Sequence, residues 1–380
     1  MTTQAPLESD SRLLAALSQV LDPELATPIT EMGMVEQASL AGGIARVHLL
    51  LTTEACPMRS TLRQRVIDAL SPLEGVERVE VSLGVMSAQQ RASLKEKLGY
   101  HRKNPFAAED SLTRVIAVAS GKGGVGKSSM TVNLAAALAA AGFSVGVLDA
   151  DIHGFSVPGL LGIEGGPTRM DEMIIPPLVP APHGPGCLKV ISIGMFVDRQ
   201  QPVAWRGPML HRALEQFLTD VHYGQLDFLF LDLPPGTGDI AISMAQLLPQ
   251  AQILLVTTPQ QSALEVAQRA GTLSLQTQQK VLGVLENMGA MLLPDGSSLP
   301  LFGAGGGKKL AESLTAALDY EVPLLGSIPL DLALRQAGDA GCPLVWQDPQ
   351  APASQALEQV AYQISHRPRG LAGQRLPLAF

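Results

Sequence analysis

The feature that most constrains this chain is a glycine-rich string that lies between an apolar run and a helical stretch. It reads Gly121-Lys122-Gly123-Gly124-Val125-Gly126-Lys127-Ser128 and fits the pattern G-x-x-x-x-G-K-[ST]. The apolar run Val115–Ala119 precedes it, and the helical stretch Met130–Ala141 follows it. Because this pattern needs a strand before it and a helix after it, the sequence predicts a loop that binds phosphate groups.

Each residue type in this loop has a physical role at a triphosphate. Glycines let backbone N–H groups approach phosphate oxygens without Cβ clashes, and the helix N-terminus adds partial positive charge. We expect Lys127 to neutralise the β and γ phosphates and Ser128 to offer its hydroxyl to Mg²⁺. The sequence therefore predicts a site for ATP and Mg²⁺. Its loop contacts are Gly121, Lys122, Gly123, Gly124, Val125, Gly126, Lys127, Ser128 and Ser129.

Short apolar runs recur through the chain from about residue 113, with helical stretches between them. They are Val115–Ala119, Val145–Leu148, Leu188–Ile193, Phe228–Leu231, Ile253–Val256, Val281–Leu285 and Leu324–Ile328. Alternation of this kind is typical of a parallel sheet that is buried on both faces. We therefore predict an α/β fold, in which residues 113–365 form a P-loop NTPase domain with a mostly parallel, doubly wound sheet.

Two aspartate clusters follow two of these runs. Asp149 and Asp151 come directly after Val145–Leu148, and Asp232 follows Phe228–Leu231. The carboxyl ends of parallel strands face the ligand crevice of such a sheet. We predict that Asp232 holds Mg²⁺ through water, that Asp151 orients the attacking water, and that Asp149 supports Asp151. Capping of strand ends by isolated aspartates is the alternative.

The chain before residue 113 has a different pattern, in the order α-β-β-α-β. We predict a small α+β domain at 1–98, a linker at 99–112 and a loose tail at 366–380. The turn between the two β strands falls at Ala41-Gly42-Gly43. We interpret the basic residues near the linker as a solvated helical segment, or else as a surface that docks an acidic partner or the nucleotide. They are Arg91, Lys95, Lys97, Arg102 and Lys103.

Composition excludes several classes of protein. A net charge of −8 and an aromatic content of 4% disfavour nucleic-acid binding. The longest apolar stretch, Leu134–Leu148, is broken by glycines and is too short to span a bilayer. Three cysteines in 380 residues exclude a disulfide scaffold and favour a reducing compartment. We therefore expect a cytoplasmic protein whose partners include neither nucleic acid nor membrane.

The region from Val115 to about Val345 resembles the Mrp (ApbC-type) family of ATPases, the iron-sulfur cluster carrier proteins. The resemblance rests on Gly121–Ser129, Asp149–Gly154, Trp205–Met209, Asp227–Asp239, Thr257–Gln260, Glu286–Met288, Phe302-Gly303 and Gly305–Gly307. The N-terminal unit resembles the metal-sulfur cluster biosynthesis-like domain that is often fused to this family. That match rests on Asp22-Pro23-Glu24, Thr52-Thr53 and Cys56-Pro57.

The resemblance implies an ATP hydrolase that works in iron-sulfur cluster assembly as a homodimer. Its partners would be cluster assembly factors and the apo iron-sulfur proteins that receive a cluster. Lys122, Lys127 and Asp151 are the expected catalytic residues, and Asn287 is expected to contact the adenine. Lys122 matches a lysine that reaches the partner subunit's nucleotide in dimeric ATPases of the MinD and ParA class. An exposed loop lysine is the alternative.

One departure from the family concerns the cluster itself. Family members carry a Cys-x-x-Cys pair shortly after the Glu-Asn-Met string, and two pairs across a dimer supply the four thiolates of a [4Fe–4S] cluster. Here Leu293 and Gly296 fall at these positions, and neither can ligate iron. Cys56 is interpreted either as a small buried residue or as a ligand or reactive thiol. Cys187 and Cys342 are interpreted as structural.

Two functions therefore stay open at this point. One is an ATPase that carries a cluster at another site, and the other is an ATP-switched scaffold that carries no cluster itself. An ATPase that partitions DNA or membrane would need a basic patch or a terminal amphipathic helix, and the sequence has neither. A reductase resembling the nitrogenase iron protein would need cysteines near Asp232–Asp239, where there are none.

Overall fold

The computed structural model describes residues 10–367 apart from 55, 109, 152–153, 197–206, 237–238, 261–273, 275–276 and 278, with backbone alone at 207–208 and 239–241. A 3-10 helix spans Ile193–Met195. In chain order, the other elements are α1 (Ser11–Leu17), β1 (Val35–Ala41), β2 (Ile44–Leu51), α2 (Arg59–Leu70), β3 (Arg78–Val85), α3 (Ala88–Lys97), β4 (Arg114–Ser120), α4 (Lys127–Ala140), β5 (Ser144–Asp149), α5 (Val157–Leu160), β6 (Thr168–Met170), β7 (Met173–Ile175), β8 (Leu178–Pro180), β9 (Cys187–Ser192), α6 (Gly207–Thr219), β10 (Phe228–Asp232), α7 (Asp239–Leu247), β11 (Gln252–Thr257), β12 (Val281–Gly289), β13 (Met291–Leu292), β14 (Ser298–Leu299), α8 (Gly306–Leu318), β15 (Leu324–Pro329), α9 (Leu332–Asp339), α10 (Leu344–Gln347) and α11 (Pro352–His366).

The chain divides into two compact units that do not follow chain order strictly. The first unit contains the chain up to Arg102 together with Pro167–Leu178 and Asp220–Gly224. The second unit contains Lys103–Gly166, Val179–Thr219 and the chain from Gln225 onward. Two short segments that lie well after residue 102 in the sequence thus belong to the N-terminal unit. The predicted domain boundaries at 98, 112 and 365 stay predictions.

The first unit is built on a three-stranded sheet in the order β1-β2-β3, in which β1 and β2 are antiparallel and β2 and β3 are parallel. The predicted turn between β1 and β2 is confirmed, because Gly42 and Gly43 have φ angles of +55° and +75°. Helices α1 and α2 bury leucines at helical spacing in the core of this unit, at Leu13 and Leu17 and at Leu62 and Leu70. Met170, Met173 and Ile175 of the β6–β7 hairpin belong to the same core.

Three of the five basic residues near the predicted linker, namely Arg91, Lys95 and Arg102, have acidic partners inside the first unit. Helix α3 begins with a capping box formed by Ser87 and Gln90. Arg91 Nε lies 3.1 Å from Asp171 Oδ1, and Lys95 Nζ lies 3.0 Å from Asp171 Oδ2. Lys95 Nζ also lies 3.0 Å from Glu172 Oε1. Arg91 and Lys95 therefore pair with the β6–β7 hairpin instead of being solvated or free to dock a partner.

The second unit is built on an eight-stranded sheet in the order β15-β12-β11-β4-β10-β5-β9-β8. All seven predicted apolar runs are strands of this sheet, and each pairs in parallel with its neighbours among the seven. The prediction of a mostly parallel α/β fold is therefore confirmed. The edge strand β8 was not predicted, because its three residues are too few to form a recognisable apolar run. None of the helices in the described ranges is both long and apolar enough to cross a bilayer.

Candidate functional site

The glycine-rich loop connects the central strand β4 to helix α4. Gly124 and Gly126 both have a φ angle of +78°, which glycine adopts without strain. A Cβ atom on Gly126 would collide with Asn287 Nδ2. The amide of Asn287 donates a hydrogen bond to the Val125 carbonyl at 2.9 Å. Gly126 is therefore required both by its backbone conformation and by the close approach of Asn287 from strand β12.

This loop forms one wall of a cavity of about 270 Å³. The remaining lining comes from the ends of other strands and the loops that follow them. The lining residues are Ser120, Lys122, Gly123, Gly124, Val125, Gly126, Lys127, Ser128, Ser129, Asp151, Gly154, Ser156 and Pro235. Eight of the nine predicted loop contacts and the predicted catalytic residue Asp151 therefore face one cavity, and Gly121 is not part of its lining.

The carboxylate of Asp232 lies at the base of α4 and has three side-chain partners among the described residues. Lys127 Nζ is 2.7 Å from Asp232 Oδ1, and both side chains are buried, with exposed fractions of 6% and 0%. The Ser128 hydroxyl donates to Asp232 Oδ2 at 2.5 Å, and the Thr131 hydroxyl donates to Oδ1 at 2.8 Å. The buried negative charge is thus balanced by one buried cation and two hydroxyl donors.

These groups fit Mg²⁺ and a triphosphate. Mg²⁺ prefers hard oxygen donors and keeps several of its waters, and the Ser128 hydroxyl lies beside a carboxylate oxygen here. An incoming phosphate would compete with Asp232 for the ammonium of Lys127. Because the loop N–H groups and Lys127 can then neutralise the phosphates, the Ser128 hydroxyl and Asp232 are left to hold the metal. The roles of Ser128 and Asp232 as metal ligands stay predictions.

Asp149 and Asp151 lie at the end of β5, next to Asp232. Asp149 is fully buried and pairs in register with Asp232 across β5 and β10. Burial, followed by the nearby charge of Asp232, raises the pKa of Asp149 from its ordinary value of 3.8 to about 7. Asp149 Oδ1 accepts the Asp151 backbone N–H at 3.1 Å, and its Oδ2 accepts the Ser192 hydroxyl at 3.0 Å. Asp149 therefore holds the backbone that places Asp151 in the cavity.

Lys122 and Asn287 each contact a group that the sequence did not suggest. Lys122 Nζ donates to Gln260 Oε1 at 3.0 Å, so its ammonium pairs with the segment after β11. Asn287 has an exposed fraction of 4% and contacts the loop backbone. Its predicted contact with adenine and the predicted role of Lys122 across a dimer stay predictions. Ile152, His153, Trp205, Arg206, Thr237 and Gly238 of the matched strings lie outside the described residues.

Sequence reasoning missed three residues that support the site. Thr131 contacts Asp232, Gln260 contacts Lys122, and Ser192 contacts Asp149. A signal existed for Thr131 alone, because it follows Lys127 by one helical turn and so lies on the same face of α4. Gln260 follows β11, which neighbours β4, and Ser192 ends β9, which neighbours β5. The contacts of Gln260 with Lys122 and of Ser192 with Asp149 depend on this strand order, which the sequence pattern does not contain.

The first unit contains a second group of ionisable residues, which we call the acid–thiol cluster: Asp22, Glu24 and Cys56. Asp22 and Cys56 each have an exposed fraction of 5%. Burial is the main reason that the pKa values of all three are raised, and the acids raise that of Cys56 further. The Thr168 hydroxyl, from the β6–β7 hairpin, donates to Glu24 Oε1. The cluster therefore favours protonated side chains.

The segment that replaces the family's cysteine pair is a small hairpin. Strands β13 and β14 pair Met291 with Leu299, and the turn between them contains Gly296 at a φ of +82°. Cys56, Cys187 and Cys342 are all free thiols. Within the described ranges, no group of three or more His, Cys, Asp or Glu side chains is arranged to hold a metal ion. One chain therefore offers no ready ligand set for a cluster in the part that the structure describes.

The sheet, the loop and the cavity together define a nucleotide-binding protein of the P-loop NTPase class. A family model described as NUBPL iron-transfer P-loop NTPase matches residues 111–365, and one described as iron-sulfur cluster assembly protein matches residues 10–83. The first match spans more than half of the chain. The chain therefore belongs to the NUBPL iron-transfer P-loop NTPase family.

Two relatives are similar over nearly the whole chain. An iron-sulfur cluster carrier protein of Mycobacterium leprae is 54% identical over 97% of this chain and 96% of its own length. One from Synechocystis is 39% identical over 93% of this chain and 96% of its own. The solved structure of a nucleotide-binding protein from Archaeoglobus fulgidus in complex with ADP is 34% identical, with a TM-score of 0.51 over 62% of this chain and 92% of that one. The predicted resemblance to the iron-sulfur cluster carriers is confirmed.

Proposed function

We propose that this protein is a cytoplasmic, homodimeric ATPase of iron-sulfur cluster assembly, which binds and hydrolyses Mg·ATP and passes clusters to apo iron-sulfur proteins. The observation that carries the ATPase half is the arrangement of Lys127, Ser128 and Asp151 around one cavity, with Asp232 against the first two. Family membership and the names of the full-length relatives support the cluster half.

In the proposed reaction, a water oxygen attacks the γ-phosphorus and the bond to the β–γ bridging oxygen breaks, which leaves ADP and inorganic phosphate. Asp151 orients the water and draws its proton, because its carboxylate lines the cavity. Lys127 and the loop N–H groups stabilise charge on the phosphates. Ser128 and Asp232 would hold Mg²⁺, which neutralises charge on the β and γ oxygens when it is bound.

Lys122 supports the dimeric part of the proposal. Its ammonium lies at the cavity, is hydrogen-bonded to the neutral amide of Gln260, and lies beside a loop that already uses Lys127 for the phosphates. A neutral acceptor holds a lysine less strongly than a carboxylate does, so a phosphate could displace it. In this proposal, Lys122 leaves Gln260 when two chains meet and contacts the nucleotide of the partner subunit.

A direct test is anaerobic reconstitution with iron and sulfide, followed by incubation with an apo ferredoxin, with and without Mg·ATP. The proposal expects cluster absorbance that co-elutes with the protein and moves to the ferredoxin faster when ATP is present. Cys56→Ser identifies the site, because loss of the absorbance in this variant would place Cys56 among the ligands. Transfer that is equal with ATP, without ATP and in Lys127→Ala would contradict a role for hydrolysis.

The second candidate is an ATP-switched scaffold that gathers assembly factors and carries no cluster itself. Leu293 and Gly296 favour it, because neither side chain can replace the family's thiolates. On this candidate, no iron stays bound in any nucleotide state, while nucleotide binding and hydrolysis remain. The reconstitution experiment therefore separates the two candidates without assuming either.

A further inference from the structure

The Asp232 carboxylate has three described side-chain partners. Oδ1 accepts Lys127 Nζ at 2.7 Å and the Thr131 hydroxyl at 2.8 Å, and Oδ2 accepts the Ser128 hydroxyl at 2.5 Å. Two of these donors, Lys127 and Ser128, line the nucleotide cavity. The third, Thr131, does not line it and is fully buried. The three donors therefore divide into two that can reach a ligand and one that cannot.

This division matters when nucleotide binds. In the proposed function, the phosphates take Lys127 and the metal takes the Ser128 hydroxyl, so both donors leave Asp232 or share it. Thr131 has no ligand to reach, and its hydroxyl remains beside Oδ1. Thr131 is thus the one described side-chain donor that stays on Asp232 throughout.

A helical threonine commonly donates to the carbonyl four residues earlier, and the Lys127 carbonyl lies 3.0 Å from the Thr131 hydroxyl. The hydroxyl has one proton, and the carboxylate oxygen of Asp232 is both nearer, at 2.8 Å, and the stronger acceptor. A hydrogen bond to the carbonyl four residues earlier can form at a threonine in any helix, so it is not specific to this site. The contact with Asp232 joins residues that are 101 positions apart in sequence. It requires this helix to lie against this strand, so it belongs to the tertiary structure of the site.

We propose that Thr131 is a positioning residue that keeps the Asp232 carboxylate oriented for Mg²⁺ when nucleotide is bound. This inference rests on the proposed function. A hydrogen bond to a charged group contributes more than one between neutral groups, and losing it leaves a buried carboxylate oxygen without its remaining donor. The effect should therefore appear in the metal dependence of nucleotide binding rather than in metal-free binding.

The test compares Thr131→Val, which has nearly the same shape without the hydroxyl, with Thr131→Ser, which keeps the hydroxyl. Thr315→Val is the matched control, because Thr315 is a helix threonine that bonds to Val322 outside the site. Binding of fluorescent mant-ADP is measured at increasing Mg²⁺ and again in EDTA. We expect Thr131→Val to raise the Mg²⁺ concentration for half-saturation by about tenfold. Its affinity for mant-ADP in EDTA should stay within about twofold of the unmodified protein.

The two comparison variants decide the interpretation. Thr131→Ser and Thr315→Val should both match the unmodified protein in Mg²⁺ dependence. Equal Mg²⁺ dependence in Thr131→Val and the unmodified protein would overturn the positioning role while leaving the proposed function intact. Equal weakening in EDTA and in Mg²⁺ would also overturn it, because that is the result of a loosened fold. If mant-ADP binding by the unmodified protein did not depend on Mg²⁺, both the positioning role of Thr131 and the proposed function would be overturned.

Discussion

The nucleotide cavity and the acid–thiol cluster both gather acidic side chains in a buried place, and they do so in opposite ways. Asp232 lies next to the lining residues of the cavity and is balanced by Lys127 and two hydroxyls. In the cluster, Asp22, Glu24 and Cys56 are buried with pKa values raised toward the neutral form. The difference shows that burial alone does not define a reactive site. Beside the cavity, a buried carboxylate faces a cation that a ligand can reach, whereas burial in the acid–thiol cluster raises the pKa values of its three members.

The largest expected effect is on nucleotide binding and hydrolysis at the cavity. Lys127→Ala removes the buried cation that faces Asp232 and that, in the proposed function, faces the phosphates. We therefore expect Mg·ATP binding to weaken by more than about 100-fold and hydrolysis to vanish. Phosphate release and equilibrium dialysis measure the two effects. Lys309→Ala, an exposed lysine, is the control and should behave as the unmodified protein. Hydrolysis that survives in Lys127→Ala would place the reaction elsewhere.

Asp151→Asn separates binding from chemistry within the same cavity. An amide keeps the size of the side chain but cannot draw a proton from water, so we expect hydrolysis to fall by about 10² to 10³-fold. Affinity for Mg·ATP should change by less than about threefold, because Asp151 does not bind the phosphates. Single-turnover phosphate release and calorimetry give the two numbers. Unchanged turnover would remove Asp151 from the reaction.

The pH dependence of the free energy of unfolding, measured without metal, tests the environment of Asp149 next to the cavity. The pKa of Asp149 is raised from 3.8 to about 7, so its contribution to the free energy of unfolding is complete below pH 3.8 and is lost as pH rises through 7. Between about pH 5 and 9, this loss should lower the free energy of unfolding of the unmodified protein by on the order of 2 kcal/mol. The amide that Asp149→Asn introduces does not titrate, so the variant should not show this part of the pH dependence. Urea unfolding at both pH values measures it. Parallel curves for the two proteins would show that Asp149 does not titrate in this range.

Alkylation of the cysteines tests the acid–thiol cluster. Because Cys56 is buried and its pKa is raised, iodoacetamide should modify it at least about tenfold more slowly than Cys187 and Cys342, which are half-buried. Mass spectrometry of the peptides resolves the three rates, and unfolding in urea should make them equal. If Cys56 reacted first in the native protein, it would be an activated thiol and the contrast between the two regions would fail.

The smallest expected effect concerns the hairpin that belongs to the first unit. Asp171→Asn removes the charge that faces Arg91 and Lys95 and keeps a residue that tolerates its φ of +56°. We expect the free energy of unfolding to fall by about 0.5 kcal/mol, and by less at high salt, since these pairs are partly exposed. Urea midpoints at low and high salt measure it. A salt-independent loss would mean that packing, and not charge, is disturbed.

Much of the second unit could be predicted from sequence because its strands are uniformly apolar and its loop uses residues with few alternatives. The seven runs and the residues around the cavity followed from local pattern. The contacts of Gln260 with Lys122 and of Ser192 with Asp149 could not, because they depend on which strands become neighbours. The pairing of Lys95 with Asp171 joins residues 76 positions apart and has no local signal. Long-range polar pairing is therefore the part that sequence pattern leaves undetermined.

Calorimetric titration of the purified protein with ATP, in Mg²⁺ and in EDTA, tests the central claim most directly. The account predicts saturable binding of one nucleotide per chain that is tighter in Mg²⁺, because Ser128 and Asp232 then have a metal to hold. An absence of heat in both conditions, or equal affinity in both, would contradict a magnesium-dependent nucleotide site at residues 121–129.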